Sequence, residues 1–175
     1  MLGPETCMHA VSQGALGIEC RQNDELVIKM LNELSDEETI LRCIAERAFL
    51  TTLNGGCSAP IGVNSKITET GIALEGVVLS LDGQFKCFAK FETSFDLDDL
   101  SCPQTNQKAT NDEEATTKTS IETKQSHYTY IVDKKVDTIK LFKAEFCGIH
   151  LGHMLISEGA DRLIDESRVQ IRQSN

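Results

Sequence analysis

The sequence predicts an α+β domain in which a small antiparallel sheet of about three strands is packed by helices. Three observations lead there. Apolar residues recur at three- and four-residue steps beyond residue 35, the spacing of one helical face. Apolar stretches of strand length follow between residues 61 and 91. Asp82-Gly83, a strong hairpin signal, separates the last two of them. Helices flanking a short meander give the two-layer arrangement.

Taken in order, residues 1–34 form a segment of their own. Gln13 to Glu19 is a glycine-punctuated apolar run, read as a strand or crossover. Asn23 or Asp24 can cap a short helix whose apolar positions are Leu26, Val27, Met30, Leu31 and Leu34. The domain proper is expected over residues 35–175. Ser35 and Glu38 read as a Ser-x-x-Glu capping box that opens a helix from Asp36 to about Leu53. Its apolar face is Ile40, Leu41, Ile44, Ala45, Ala48 and Phe49. Gly55 is placed to leave that helix in the left-handed conformation, Gly56 permits close approach, and Pro60 stiffens the exit.

Strands are then expected at Ile61-Gly62-Val63 with Ile67, at Gly71 to Leu81, and at Phe85, Cys87, Ala89 and Phe91 in alternation. From 96 to 125 seven acids face three lysines amid Thr, Asn and Gln, with few apolar residues. Such a stretch cannot bury enough surface to offset its ordering entropy, which predicts a disordered acidic insertion. Tyr128 to Val132 reads as a further strand. A helix is expected from about Ile139 to Glu158, with Ala144, Cys147, Leu151, Met154 and Leu155 on one stripe and Gly159 stopping it. Leu163-Ile164 and a polar tail close the chain.

At 175 residues the chain suffices for one domain with a reasonable core. A net charge of −10 argues against nucleic acid or an anionic membrane as partner. Met1 to Glu5 shows no basic cluster or apolar run, so no signal peptide is expected. The longest apolar stretch, Ile72 to Leu81, is broken by Glu75 and too short to span a bilayer. The seven cysteines are odd in number and contain no C-x-x-C pair, which indicates neither a disulfide framework nor zinc. A reduced, cytoplasmic setting fits best. His150 and His153 lie three apart on a helix, but no third ligand accompanies them, so they read as surface or half-buried histidines and no metal is expected.

Cys57 is the candidate reactive residue because a glycine pair presents it on a loop. Its electrostatics do not favour a thiolate. It follows a helix C-terminus, where the dipole opposes an anion, and no Lys, Arg or His lies between Thr51 and Ser65. Residue chemistry alone reads Cys57 as a small hydrophobe, and an isolated Gln13-Gly14 as a turn.

A resemblance adds to this. Glu46-Arg47, followed after the helix by Gly55-Gly56-Cys57 and Pro60, resembles the cofactor-attachment signature of the porphobilinogen deaminase (hydroxymethylbilane synthase) family. The block from Ala10 to Arg21, containing Gln13-Gly14-Ala15-Leu16-Gly17, is similar to a second segment of that family, and Ser80-Leu81-Asp82-Gly83 also fits. The resemblance runs to about Phe91, thins, and returns from Gly148 to Ile164. Ser12 stands where the family usually has Gly, and Ala59 where it has a branched apolar residue.

The resemblance implies the C-terminal part of a three-domain α/β enzyme, its cofactor-bearing domain, with residues 1–34 a remnant of the earlier domains. It implies a transferase that joins four porphobilinogens into hydroxymethylbilane for haem synthesis, releasing ammonia. It implies a dipyrromethane cofactor held by a thioether at Cys57, with Gln13 and Gly14 lining the pyrrole-binding cleft. The family's catalytic aspartate and most of its arginines belong to an N-terminal half with no counterpart here. No catalytic residue is therefore expected in this chain, which should be inactive alone, and the full-length enzyme is expected to be monomeric. The alternative is a non-catalytic fragment or splice product acting as a structural or binding module.

Overall fold

A computed structural model describes residues 3, 6–21, 23–56, 59–96, 131 and 135–173. The elements are α1 (Glu25–Leu34), α2 (Glu37–Thr52), β1 (Ile61–Ile67), β2 (Gly71–Leu79), β3 (Lys86–Ser94), α3 (Thr138–Ser157) and α4 (Ala160–Gln173). The strands make an antiparallel meander with β2 in the centre. The expected α+β class and three-stranded sheet are what the structure has.

Both long helices press on one face of the sheet. A β-carbon on Gly76 of β2 would lie 2.6 Å from Phe49 Cζ of α2 and 3.1 Å from Leu151 Cδ2 of α3. Gly76 is therefore the point where the two helices meet the central strand, and any side chain there would hold them off. The core gathers around it, with Ile44, Phe49, Val63, Leu74, Leu151 and Leu155 all fully buried. Burying each such side chain favours folding by roughly 1.5–3 kcal/mol.

The helix ends follow local rules, with two corrections to the sequence reading. Asp36, not Ser35, caps α2. Its carboxylate accepts from Thr39 N (2.8 Å) and from Thr39 Oγ1 (2.6 Å), while Ser35 Oγ donates to Asn32 O at the end of α1. The helix begins at Glu37, so the acid is the residue at the capping position, and it brings charge to the positive end of the dipole.

At the other end Leu53 stays right-handed as the C-cap and Asn54 takes the left-handed turn with φ +50°, a role expected of Gly55. Asn54 N donates to Thr51 O (3.0 Å) and Gly55 N to Leu50 O (2.9 Å), a Schellman closure in which Asn serves where Gly is more common. Gly159, with φ +94°, ends α3 as expected.

Three further readings change. Residues 13–19 form no strand; a turn over 11–14 leads into irregular chain, and Leu16 is 95% exposed. Phe85 belongs to the loop rather than to β3 and is exposed, because the turn after β2 runs to residue 85 and is closed by Ser80 N donating to Phe85 O (2.9 Å). The end of the chain is not a polar tail but α4, which buries Ala160, Ile164 and Ser167 and packs on β2 and α3. Apart from Asp96, the acidic stretch 96–125 lies outside the described residues, and of Tyr128–Val132 only Ile131 is described, packed against the core.

Asp24 caps α1 as read, accepting from Val27 N (3.3 Å). That helix buries no residue, and Leu26, Met30 and Leu34 are 66%, 59% and 75% exposed. No helix among the described residues is long and apolar enough to cross a membrane.

Candidate functional site

Two sequence blocks singled out above, around residues 10–21 and 46–60, meet in space. The contact is made by α2. Its apolar face turns Leu41, Ala45, Ala48 and Phe49 into the core, and this carries Glu46, on the next position round the helix, to only 7% exposure. A buried carboxylate needs donors. Glu46 Oε2 accepts from the backbone N–H of Ser12 (2.6 Å), and Glu46 Oε1 accepts from the Ser65 hydroxyl of β1. Ser65 Oγ in turn accepts from Arg42 Nε (2.9 Å).

The N-terminal segment is laid on the free edge of the sheet. His9 bridges Val63 in antiparallel fashion, with Val63 N donating to His9 O (2.9 Å). Met8 packs over Gly62, where a β-carbon would reach Met8 Cγ at 3.5 Å, and Val11 lies against the core. The chain then turns sharply at Ser12 (φ +58°) and Gly14 (φ +89°). A serine in the left-handed region carries steric strain that glycine would not. Ser12 Oγ is moreover buried with no hydrogen-bond partner among the described residues. Both facts give a physical reason for glycine at this position, the residue the resemblance associates with it.

Gln13 and Gly14 are thus placed on an exposed turn. Gln13 Oε1 accepts from Ala10 N (2.9 Å), bracing its own turn, and Gly14 has open space where a side chain would stand. Cys57 lies outside the described residues. The approach to it is described as far as Gly56, where a β-carbon would meet nothing within 4 Å. Gly55 is closely packed instead, since a β-carbon there would lie 2.5 Å from both Leu50 Cδ1 and Ile61 Cδ1, so of the pair it is Gly56 that opens outward.

Sequence reasoning missed Arg168. It stands on α4, and its guanidinium donates to Asn54 O while also pairing with Asp165 (3.0 Å). A cation therefore sits at the carbonyl end of α2, although none is near in sequence. The Arg–Asp spacing at i, i+3 in a polar tail signalled a helix, but nothing there signalled which loop it would reach.

The other described cysteines behave as packing groups or exposed thiols. Burial, with the Glu92 carboxylate adding to it, pushes the Cys147 thiol up to about 12. Burial also raises Cys87, helped by Glu158 and Asp161. His150 is half-buried, its ring 4.1 Å from that of Phe91, and His153 is exposed. No cluster of metal-ligating residues occurs among the described residues. The cleft of about 520 Å³ at the N-terminal end of α2 is lined by Glu37, Glu38, Glu69 and Asp96 with Lys140. Its charge disfavours anions, and it lies at the end of α2 away from Gly55-Gly56.

Comparison with known proteins agrees with the resemblance. Residues 40–100 match the family model described as porphobilinogen deaminase, C-terminal domain. The porphobilinogen deaminase of Prochlorococcus marinus strain AS9601 is 55% identical over 80 residues, 46% of this chain and 25% of that protein. Those of Synechococcus elongatus strain PCC 7942 (56% over 77 residues; 44% and 24%) and Synechococcus sp. strain RCC307 (51% over 84 residues; 48% and 26%) are similar. The chain thus spans about a quarter of the length of the curated relatives it matches. Over residues 40–100, which hold most of α2, the glycine loop and the three strands of the sheet, this chain is therefore similar to the C-terminal domain of porphobilinogen deaminases.

Proposed function

We propose that this chain supplies the cofactor-bearing part of a hydroxymethylbilane synthase. The observation that carries the reading is the 55% identity to a porphobilinogen deaminase, together with a fold that joins the Ser12–Gly14 turn to the helix leading into Gly55-Gly56-Cys57. In this reading Cys57 is the attachment residue for dipyrromethane, and Gln13 and Gly14 border the cleft it occupies. Cys57 would hold the group through a thioether from its sulfur to a pyrrolic methylene carbon. A thioether resists hydrolysis through repeated turnovers, so the thiol needs no second role. When bound, dipyrromethane supplies the pyrrole terminus to which porphobilinogen units are added.

The chain's own residues attach and place. The tether keeps the growing product at high effective concentration. Gly56 gives the loop its freedom, Gly55 lets it pack closely on Leu50 and Ile61, and Arg168 fixes where the loop leaves α2. The aspartate chemistry and the arginines that bind substrate carboxylates are assigned to the part of the relatives this chain does not span, and the setting is the cytoplasm.

Peptide mapping tests the reading. The chain is joined to the N-terminal portion of a cyanobacterial relative, and the product is digested and weighed. Dipyrromethane on Cys57 is the expected result. Dipyrromethane on Cys43 or Cys87, or full activity in Cys57→Ala, would refute it.

The exposed Leu26, Met30 and Leu34 face favours a second reading, a non-catalytic structural or binding module. The same mapping distinguishes the two, since a binding module would carry no adduct.

A further inference from the structure

We propose that Glu46 is a positioning residue that sets the Gln13–Gly14 turn. The role rests on the reading of the site given above. Three features assign it. Glu46, itself in the second block, takes donors on its two oxygens from the first block and from the sheet, the backbone of Ser12 and the hydroxyl of Ser65 of β1. The turn it holds is held against strain, since Ser12 sits at φ +58° with its own hydroxyl buried and unpartnered. Gln13 uses its carbonyl oxygen locally, on Ala10 N, and so braces the turn without anchoring it to the domain.

The remaining anchors of this segment are upstream, at His9–Val63 and Met8–Gly62. From Leu16 to Arg21 the chain is exposed and irregular. The Ser12–Glu46 bond is therefore the last fixed point before Gln13 and Gly14. A buried charge-assisted bond is shorter and about twice as strong as a neutral one. Ser65 and Arg42 hold the carboxylate in turn, so the turn is tied through Glu46 to both α2 and β1.

Backbone exchange and ligand binding test the role on the full chain with Glu46→Ala and Glu46→Gln. Glu46→Gln keeps an acceptor oxygen for Ser12 N–H and turns its amide toward Ser65 Oγ, so it is the conservative rescue. In Glu46→Ala, amide exchange at Ser12–Gly14 should rise at least ten-fold while exchange at Leu74 and Val78 in β2 stays at the wild-type rate. Glu46→Gln should recover most of that protection.

Apparent affinity for porphobilinogen, measured with the chain joined to the N-terminal portion of a relative, should fall at least five-fold in Glu46→Ala and return in Glu46→Gln. Unchanged exchange at the turn, or a uniform rise through β2, overturns the role, and so does unchanged porphobilinogen affinity. If Glu46→Ala does not fold, Ser65→Ala takes its place, with a smaller selective rise at Ser12 expected and none overturning the role. Failure of the joined wild-type protein to bind porphobilinogen counts against the proposed function, and the exchange arm then decides the positioning role by itself.

Discussion

Replacing Gly148 with alanine should destabilise the fold far more than one methyl group suggests. Gly148 lies midway along α3, where that helix crosses α2. A β-carbon there would fall on the Ala45 carbonyl oxygen and come within 2.8 Å of Phe49 N. Both neighbours are backbone atoms of a buried helix, so no side chain can rotate away. The helices must separate, which loosens the Phe49–Gly76–Leu151 contact beneath them. Overpacking of this kind costs about 1–3 kcal/mol or more. Dispersion lost along the parted interface adds to that, while alanine's better helix propensity returns about 1 kcal/mol. The expected net loss is about 2–4 kcal/mol, which lowers the melting temperature by roughly 5–15 °C in a chain of this size. Urea unfolding followed by far-UV circular dichroism measures it. Gly56→Ala, with nothing within 4 Å of the new carbon, serves as the comparison. A Gly148→Ala chain as stable as wild type would show that α2 and α3 do not cross this closely.

Ser12→Gly should stabilise the chain. Relief of left-handed strain and of a buried unpartnered hydroxyl is worth about 1–3 kcal/mol each, against about 1 kcal/mol of added chain entropy, for a net gain of about 1–5 kcal/mol in chemical denaturation. In native protein, iodoacetamide should label the exposed Cys7 and Cys20 and leave the buried Cys43 and Cys147 unmodified until urea is added, as peptide mapping would show. The raised Cys147 value also has a linkage consequence. The stability tied to its proton is intact below 9.0 and is lost as pH climbs toward about 12, because the unfolded thiol ionises first. Cys147→Ala should therefore reduce the alkaline decline in stability above pH 9, by up to about 1.4 kcal/mol per pH unit. Finally, the chain alone should not convert porphobilinogen to hydroxymethylbilane, whereas joined to the N-terminal portion of a relative it should; uroporphyrin fluorescence after oxidation reads both.

What was legible in the sequence is what depends on neighbours in sequence. Helix faces such as Leu41, Ile44, Ala45 and Phe49 announce themselves by spacing, and the β2–β3 hairpin by Asp82-Gly83. The errors were of one residue where two adjacent groups could serve the same end. Ser35 and Asp36 can both cap a helix, and Asn54 and Gly55 can both turn left-handed. Which one acts depends on where the helix actually begins and stops, and propensity does not resolve that to one position. α4 was lost because its mean composition is polar. Its apolar residues are few, but Ile164 is buried against the core all the same.

The candidate site divides along the same line. Gln13, Gly14 and Cys57 were visible as motif positions, but Glu46 and Arg168 act on residues 34 and 114 positions away. No periodicity encodes such a pairing. The one local sign was Glu46 itself, an acid between Ala45 and Ala48 on a helix that buries nearly all its surface after Leu41. An ionised group in that place requires a donor from elsewhere in the chain. The donor turns out to be a backbone N–H, which has no signature in any sequence, so the requirement could be read from the residues and the partner could not.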